Sequence, residues 1–185
     1  MFRHNTIRGS TERIVEPELL DELPPQDRRA RRSRVDLQRL NKWMNHSATM
    51  AAVLDQKLNG AVSPRIVELG AGDGHFLLSV ARRMQGRWAS ADATLVDQLD
   101  VFDPQFLTRF RALGWSVCPE IAGACEWLRQ LPRETADALV CNLFLHQFQA
   151  EALGELLRLA APACRLFIAL EPRRSWRDTS AAEVR

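Results

Sequence analysis

A doubly wound, mostly parallel α/β sheet of about five strands is the fold this sequence predicts. Three observations carry it. From Pro64 onward, short apolar runs alternate with stretches of helical periodicity. Three glycines at alternate positions, Gly70, Gly72 and Gly74, directly follow the first apolar run. Strands such as "LFIAL" are apolar throughout, as strands covered on both faces must be. Right-handed crossovers then place helices on both sides of the sheet.

The elements follow in order. Residues 1–22 lack sustained periodicity and are expected to form a mobile arm. Residues 23–60 are expected to form a helical segment. Within it, "RRARRSRVDLQRLNKWMN" repeats Leu37, Leu40 and Met44 at helical spacing, with Val35 and Trp43 beside that stripe and Asp27 as N-cap. Its remaining faces carry Arg28, Arg29, Arg31, Arg32, Arg34, Arg39 and Lys42. They suit an acidic partner or, more plainly, a solvated surface, since no aromatic residues interleave the charges as a nucleic-acid platform requires. A second helix is expected from Ser47 to about Leu58, stopping at "NG".

The core is expected over 61–171. "RIVEL" is the first strand. "FLLSVARRM" sets Phe76, Leu77, Val80, Ala81 and Met84 on one helical face, and Gly86 ends it. "DATLVD" is the second strand. "DPQFLTRFRALG" is a helix with Asp103 at the N-cap and Pro104 in the first turn; Phe106, Leu107, Phe110 and Leu113 face inward and Gly114 closes it. "WSV" begins a weak third strand that Pro119 interrupts. "CEWLRQL" is a short helix, and "DALVCNLFL" opens as the fourth strand. "AEALGELLRLAA" is a helix with Leu153, Leu156, Leu157 and Ala160 inward, and "RLFIAL" is the fifth strand. A short tail, 172–185, remains.

The bulk numbers bound the function. At 185 residues the chain suits one domain. Hydrophobic residues make up 46% and charged residues 26%, with a net charge of only +2, too little for strong whole-molecule attraction to nucleic acid or anionic lipid. No apolar run reaches the roughly 18 residues of a membrane span, and no secretory signal is legible at the N-terminus. Cys118, Cys125, Cys141 and Cys164 lack paired metal-ligand spacing, so no metal is expected and reduced thiols in the cytoplasm are the simplest reading.

"RIVELGAGDGHF" carries the chemistry. In a doubly wound sheet, ligands bind beyond the carboxyl ends of the strands, where this loop sits. A dinucleotide fingerprint needs glycine at the sixth position of G-x-G-x-x-G, but that position, counted from Gly70, is His75. No Gly-Lys-Ser/Thr follows for a Walker loop. Glu68, just before the glycines, would repel a pyrophosphate and favour a ligand carrying positive charge.

With "E-L-G-A-G-D-G" as its signature, the stretch from about Arg65 to Leu170 resembles the class I S-adenosylmethionine-dependent methyltransferases, which have a Rossmann-like fold. The resemblance implies S-adenosylmethionine as cofactor. Glu68 would anchor its methionine end, with Gly70, Ala71, Gly72 and Gly74 lining it. Asp97, in "TLVDQ", would hold the ribose hydroxyls, and Gln98 would edge the adenine. After the third strand Gly123 stands where an adenine-binding acid often falls, leaving Ala124 and Cys125 for that contact. "DALVCNLFLHQF" is similar to the fourth-strand motif of small-molecule methyltransferases. It would set Asn142 near the cofactor and bring His146 to the cleft as a candidate catalytic base, His75 being the other histidine near it. "RRSRVDLQRLNKWM", "NLFLHQF" and "EPRRS" together resemble bacterial small-molecule methyltransferases, in which an N-terminal helical segment caps the cleft.

The implied reaction moves a methyl group to an oxygen or carbon of a small molecule, with a phenolic, polyketide-like or quinone-like acceptor in view; nucleic acid and membrane are not expected partners. Members of the family usually add a final antiparallel strand pair. The tail is too short for it, so an exposed fifth-strand edge is expected, able to pair two copies into a homodimer. A catalytically impaired, methyltransferase-like binding protein is the alternative that this shortening raises.

Overall fold

The computed structural model describes residues 45–102 and 104–171. The arm, the basic helix up to Met44, Asp103 and the tail from residue 172 lie outside the described residues. Five strands form one sheet: β1 (Arg65–Leu69), β2 (Ala91–Asp97), β3 (Trp115–Ile121), β4 (Ala138–Asn142) and β5 (Phe167–Leu170). Their order is β3-β2-β1-β4-β5, and every pairing is parallel. The order reverses direction at β1, between β2 and β4, which makes the end of β1 the switch point where ligands bind in such sheets.

Alternation along each strand divides the core in two. Ile66, Ala93, Leu95, Ala138 and Val140 face one side. They meet α1 (His46–Lys57), α2 (His75–Arg83) and α3 (Pro104–Arg111) through Met50, Leu54, Leu77, Phe106 and Phe110. Val67, Leu69, Val96, Leu139 and Cys141 face the other side, under α4 (Ala124–Arg129) and α5 (Ala150–Ala163) through Leu128, Leu156 and Ala160. Two covered faces explain why β4 is buried at all five positions. By the same parity, Glu68 and Asn142 point to the α1/α2 side.

The elements match their predicted places with informative exceptions. β3 runs through Pro119 to Ile121. Among the described residues it is an edge strand, so half its amides need no partner and a proline there is tolerated. Leu157, predicted inward, is 41% exposed; α5 turns Leu156, Ala160 and Ala163 to the core, and Leu153 and Leu107 are only half-buried. β4 stops at Asn142 because Leu143 turns to φ 52, a left-handed conformation no strand admits. Among the described residues, β5 pairs with β4 alone.

The end of the sheet opposite the switch point is stitched by Asp137. Its Oδ2 accepts the Arg65 N–H at 2.8 Å, and the Asp137 N–H donates to the Arg65 carbonyl at 2.9 Å. The guanidinium groups of Arg65 and Arg165 stand 3.4 and 3.7 Å away. Desolvation works to raise this carboxyl's pKa, but the N–H and the two guanidinium groups outweigh it and hold the pKa below the ordinary range. Both arginines are largely exposed, so the backbone bond carries most of the effect. Asp137→Ala is expected to cost about 1–2 kcal/mol, read as a lowered thermal midpoint at neutral pH. A depressed carboxyl stabilises above its unfolded pKa of about 3.9, and that contribution is lost as pH falls through the lower folded value. The gap between wild type and variant should therefore close in acid.

Candidate functional site

The site begins at Glu68. It is 1% exposed, lies in register between Leu95 of β2 and Val140 of β4, and its Oε2 has no hydrogen-bond partner among the described residues. Burial first, and then the charges of Asp73 and Asp97, push its pKa well above the usual carboxylate range. An acid stranded at the end of a strand is costly unless something answers it. With the charges of Asp73 and Asp97 acting on the same carboxyl, a cationic group suits that place.

The three glycines have three different tasks. All have positive φ: 66° at Gly70, 54° at Gly72 and 76° at Gly74. A Cβ on Gly70 would fall 2.1 Å from Cδ2 of Phe144, so this glycine makes room for a ring from the loop after β4. A Cβ on Gly74 would fall 2.7 Å from Phe106, the ring that also lies 4.9 Å from His75. Only at Gly72 does a Cβ meet no described atom within 4 Å. Of the three glycines expected to line a ligand, only Gly72 leaves open space on its Cβ side among the described residues. The N–H groups of Gly70 and Ala71 are also committed, both donating to the Val96 carbonyl, at 2.9 and 3.1 Å.

Asp97 closes the loop from β2. Its Oδ2 accepts the Gly72 N–H at 2.7 Å and its Oδ1 accepts the Leu99 N–H at 2.9 Å. Each oxygen has a further lone pair, so a carboxylate held this way has capacity for hydroxyl donors. Its carbonyl accepts the Ala122 N–H at 2.9 Å, which draws the start of α4, with half-buried Ala124 and Cys125, toward the same corner. Burial, then Glu155 against the opposing charge of Arg129, raises the Cys125 thiol pKa, so it is a packing group and not a nucleophile. Gln98 is exposed. His75, the residue that excluded a dinucleotide, has its N–H capped by Asp73 Oδ1 at 3.2 Å and its Nδ1 3.1 Å from Asp73 Oδ2.

The far wall comes from β4 and the loop beyond it. Asn142 is 8% exposed, and its Oδ1 accepts from His46 Nδ1 at 2.6 Å. His46, the first residue of α1, is likewise buried, so a histidine besides His146 reaches this wall. Sequence reading missed it because nothing in the sequence links positions 46 and 142. His146 lies on a 3₁₀ turn, Leu145–Gln147, with Nδ1 2.9 Å from Oε2 of Glu171. Glu171 also went unassigned, and its only signal was an acid directly after the last strand.

Among the described residues no three His, Cys, Asp or Glu side chains converge as metal ligands, and no helix is long and apolar enough to cross a membrane.

Solved structures are similar to this chain to differing degrees. The plantazolicin methyltransferase BpumL, in complex with a monoazolic desmethylPZN analog and SAH, superposes with a TM-score of 0.53 at 17% identity, over 86% of this chain and 59% of that one. A SAM-dependent methyltransferase from Archaeoglobus fulgidus gives 0.39 at 21% identity, over 64% and 48% of the two chains. Phosphoethanolamine N-methyltransferase 1 of Haemonchus contortus gives 0.47 at 20%, over 66% and 24%. The chain thus spans less than two thirds of the length of each. No family model matches it, and no curated protein does. The first superposition establishes the fold as a Rossmann-like α/β fold.

Proposed function

We propose that this chain, with its methyltransferase fold, binds S-adenosylmethionine over the carboxyl ends of β1 and β2 and methylates an oxygen or carbon of a small molecule. One observation carries the reading: buried Glu68, with an oxygen unanswered among the described residues, precedes a glycine loop in which a Cβ on Gly72 would meet no described atom within 4 Å. The cofactor would supply an electrophilic methyl on a positively charged sulfur, together with an ammonium. The residues present fit such a ligand: acidic around the loop, without the further glycine or the lysine that phosphate groups call for.

In this reading Glu68 and the Gly72 main chain hold the methionine end, and Asp97, already fixed by two amides, accepts the ribose hydroxyls. Ala124, Cys125 and Gln98 edge the adenine. Asn142 borders the reacting end, and His146 takes a proton from the acceptor where one must leave. Methyl transfer depends chiefly on alignment and exclusion of water, so rigid walls matter more than reactive groups.

Calorimetric titration of the folded protein with S-adenosylhomocysteine is the direct test. Saturable heat at micromolar to low-millimolar ligand is expected; none at millimolar ligand would sink the reading. Binding without methylation of phenolic or enolic acceptors would favour the impaired binding protein instead.

A further inference from the structure

We propose that His46, on helix α1, is a positioning residue of this site: by donating from Nδ1 to the side-chain oxygen of Asn142 it fixes the orientation of that amide, and through it the affinity for the cofactor. The cofactor rests on the methyltransferase reading above; the placement of His46 rests on geometry alone.

Among the described residues, three polar side chains are buried: His46, Glu68 and Asn142. They gather at one end of the sheet. Glu68 is level with Val140, and Asn142 lies two residues further along β4, on the same side of the sheet and just past the Leu69–Cys141 pair. His46 meets Asn142 there at 2.6 Å. The rest of the described core is apolar, as packing alone requires. An apolar pair in place of His46 and Asn142 would spare the desolvation of two polar groups. Packing therefore does not account for them, and their position at the switch point, with an acid whose Oε2 is unanswered among the described residues, does.

Helix α1 brings His46 to this place and is itself held. Met50 and Leu54 seat it, both fully buried. Arg83, the last residue of α2, donates from Nε to Ser47 Oγ at 3.1 Å and from Nη2 to Asn45 Oδ1 at 3.4 Å, gripping the residue on each side of His46. Asn45 takes φ 56, a left-handed turn that asparagine tolerates better than most residues. Helix α2 begins where the glycine loop ends, so the loop, the clamp and the imidazole belong to one assembly. The 2.6 Å bond has one sense: an amide oxygen only accepts, so the proton sits on His46 Nδ1. Neutral and protonated rings can both donate from Nδ1, so the amide keeps its orientation in either state. With Oδ1 turned to His46, the other branch of the Asn142 amide is NH₂, a donor.

The test is calorimetric titration of the full chain with S-adenosylhomocysteine, as wild type, His46→Leu, Asn142→Ala and the double variant. His46→Leu is expected to weaken binding about 10-fold, the scale of one buried hydrogen bond. In the Asn142→Ala background the same change should cost less than about 2-fold, because His46 acts through that amide. His46→Asn, whose side-chain NH₂ can stand in for the Nδ1–H, should recover most of the affinity. A histidine that only packs predicts a lower melting temperature with unchanged affinity, or equal losses in both backgrounds; either result overturns the proposal. ¹⁵N-histidine NMR of wild type, at a pH where the ring is neutral and with His46→Asn assigning the resonance, does not depend on how His46→Leu folds. An Nδ1–H ring is expected, and an Nε2–H ring overturns the proposal. Wild type that binds no S-adenosylhomocysteine overturns the methyltransferase reading and the cofactor role with it. Wild type that binds, with His46→Leu binding equally well, overturns this proposal alone.

Discussion

Replacing Gly72 by valine is expected to weaken S-adenosylhomocysteine binding by at least about 100-fold, or roughly 2.7 kcal/mol. Two effects act together. The branched side chain projects into space that no described atom fills within 4 Å, where a ligand would meet the main chain. The residue also sits at φ 54, which strains any L-residue by about 1–2 kcal/mol and a β-branched one more. Strain by itself would mislead, so Gly86→Val is the control. Gly86 has φ 78 and equally open surroundings, but lies in the turn after α2. Both variants should lose thermal stability, and only Gly72→Val should lose affinity. Calorimetry showing unchanged affinity in Gly72→Val would mean that the loop is not the cradle.

Glu68→Gln is expected to pull stability and binding in opposite directions. The folded pKa of Glu68 lies above its unfolded value of about 4.3. Such a group contributes fully below the unfolded pKa, and the contribution is lost as pH rises through the folded pKa. The glutamine variant should therefore melt higher than wild type once pH exceeds that folded value, with the difference vanishing in acid. Its affinity for a cationic ligand should fall about 10- to 100-fold through loss of a buried charge partner. In wild type, a bound cation lowers the pKa and drives off a proton. Titrations in buffers of different ionisation enthalpy should then show proton release that the variant lacks. A variant that melts lower and binds equally well would make Glu68 a structural residue.

Much of the fold was legible because its signals are local. The apolar runs, the helix stripe of Phe76, Leu77, Val80 and Ala81, and the glycine closing at Gly114 each depend on residues within a turn or two of one another. The strand-end positions of Glu68 and Asp97 were legible for the same reason. Pro119 and Leu157 misled because their tolerance depends on where the element ends up. An edge strand accepts a proline, and a helix over one face of a sheet need not bury every leucine near its stripe.

The site's finer assignments were out of reach of pattern. His46 and Asn142 meet across 96 positions, and His146 finds Glu171 across 25. Strand order brings those ends together, and no periodicity encodes strand order. The glycines show the limit within a single motif. The sequence by itself determined that Gly70, Gly72 and Gly74 follow an apolar strand with an acid before them, because left-handed backbone and strand burial are properties of neighbouring residues. Only the tertiary structure decided that Gly70 yields to Phe144, Gly74 to Phe106, and that of the three Gly72 alone meets no described residue. What a missing side chain makes room for depends on parts of the chain brought close only by folding.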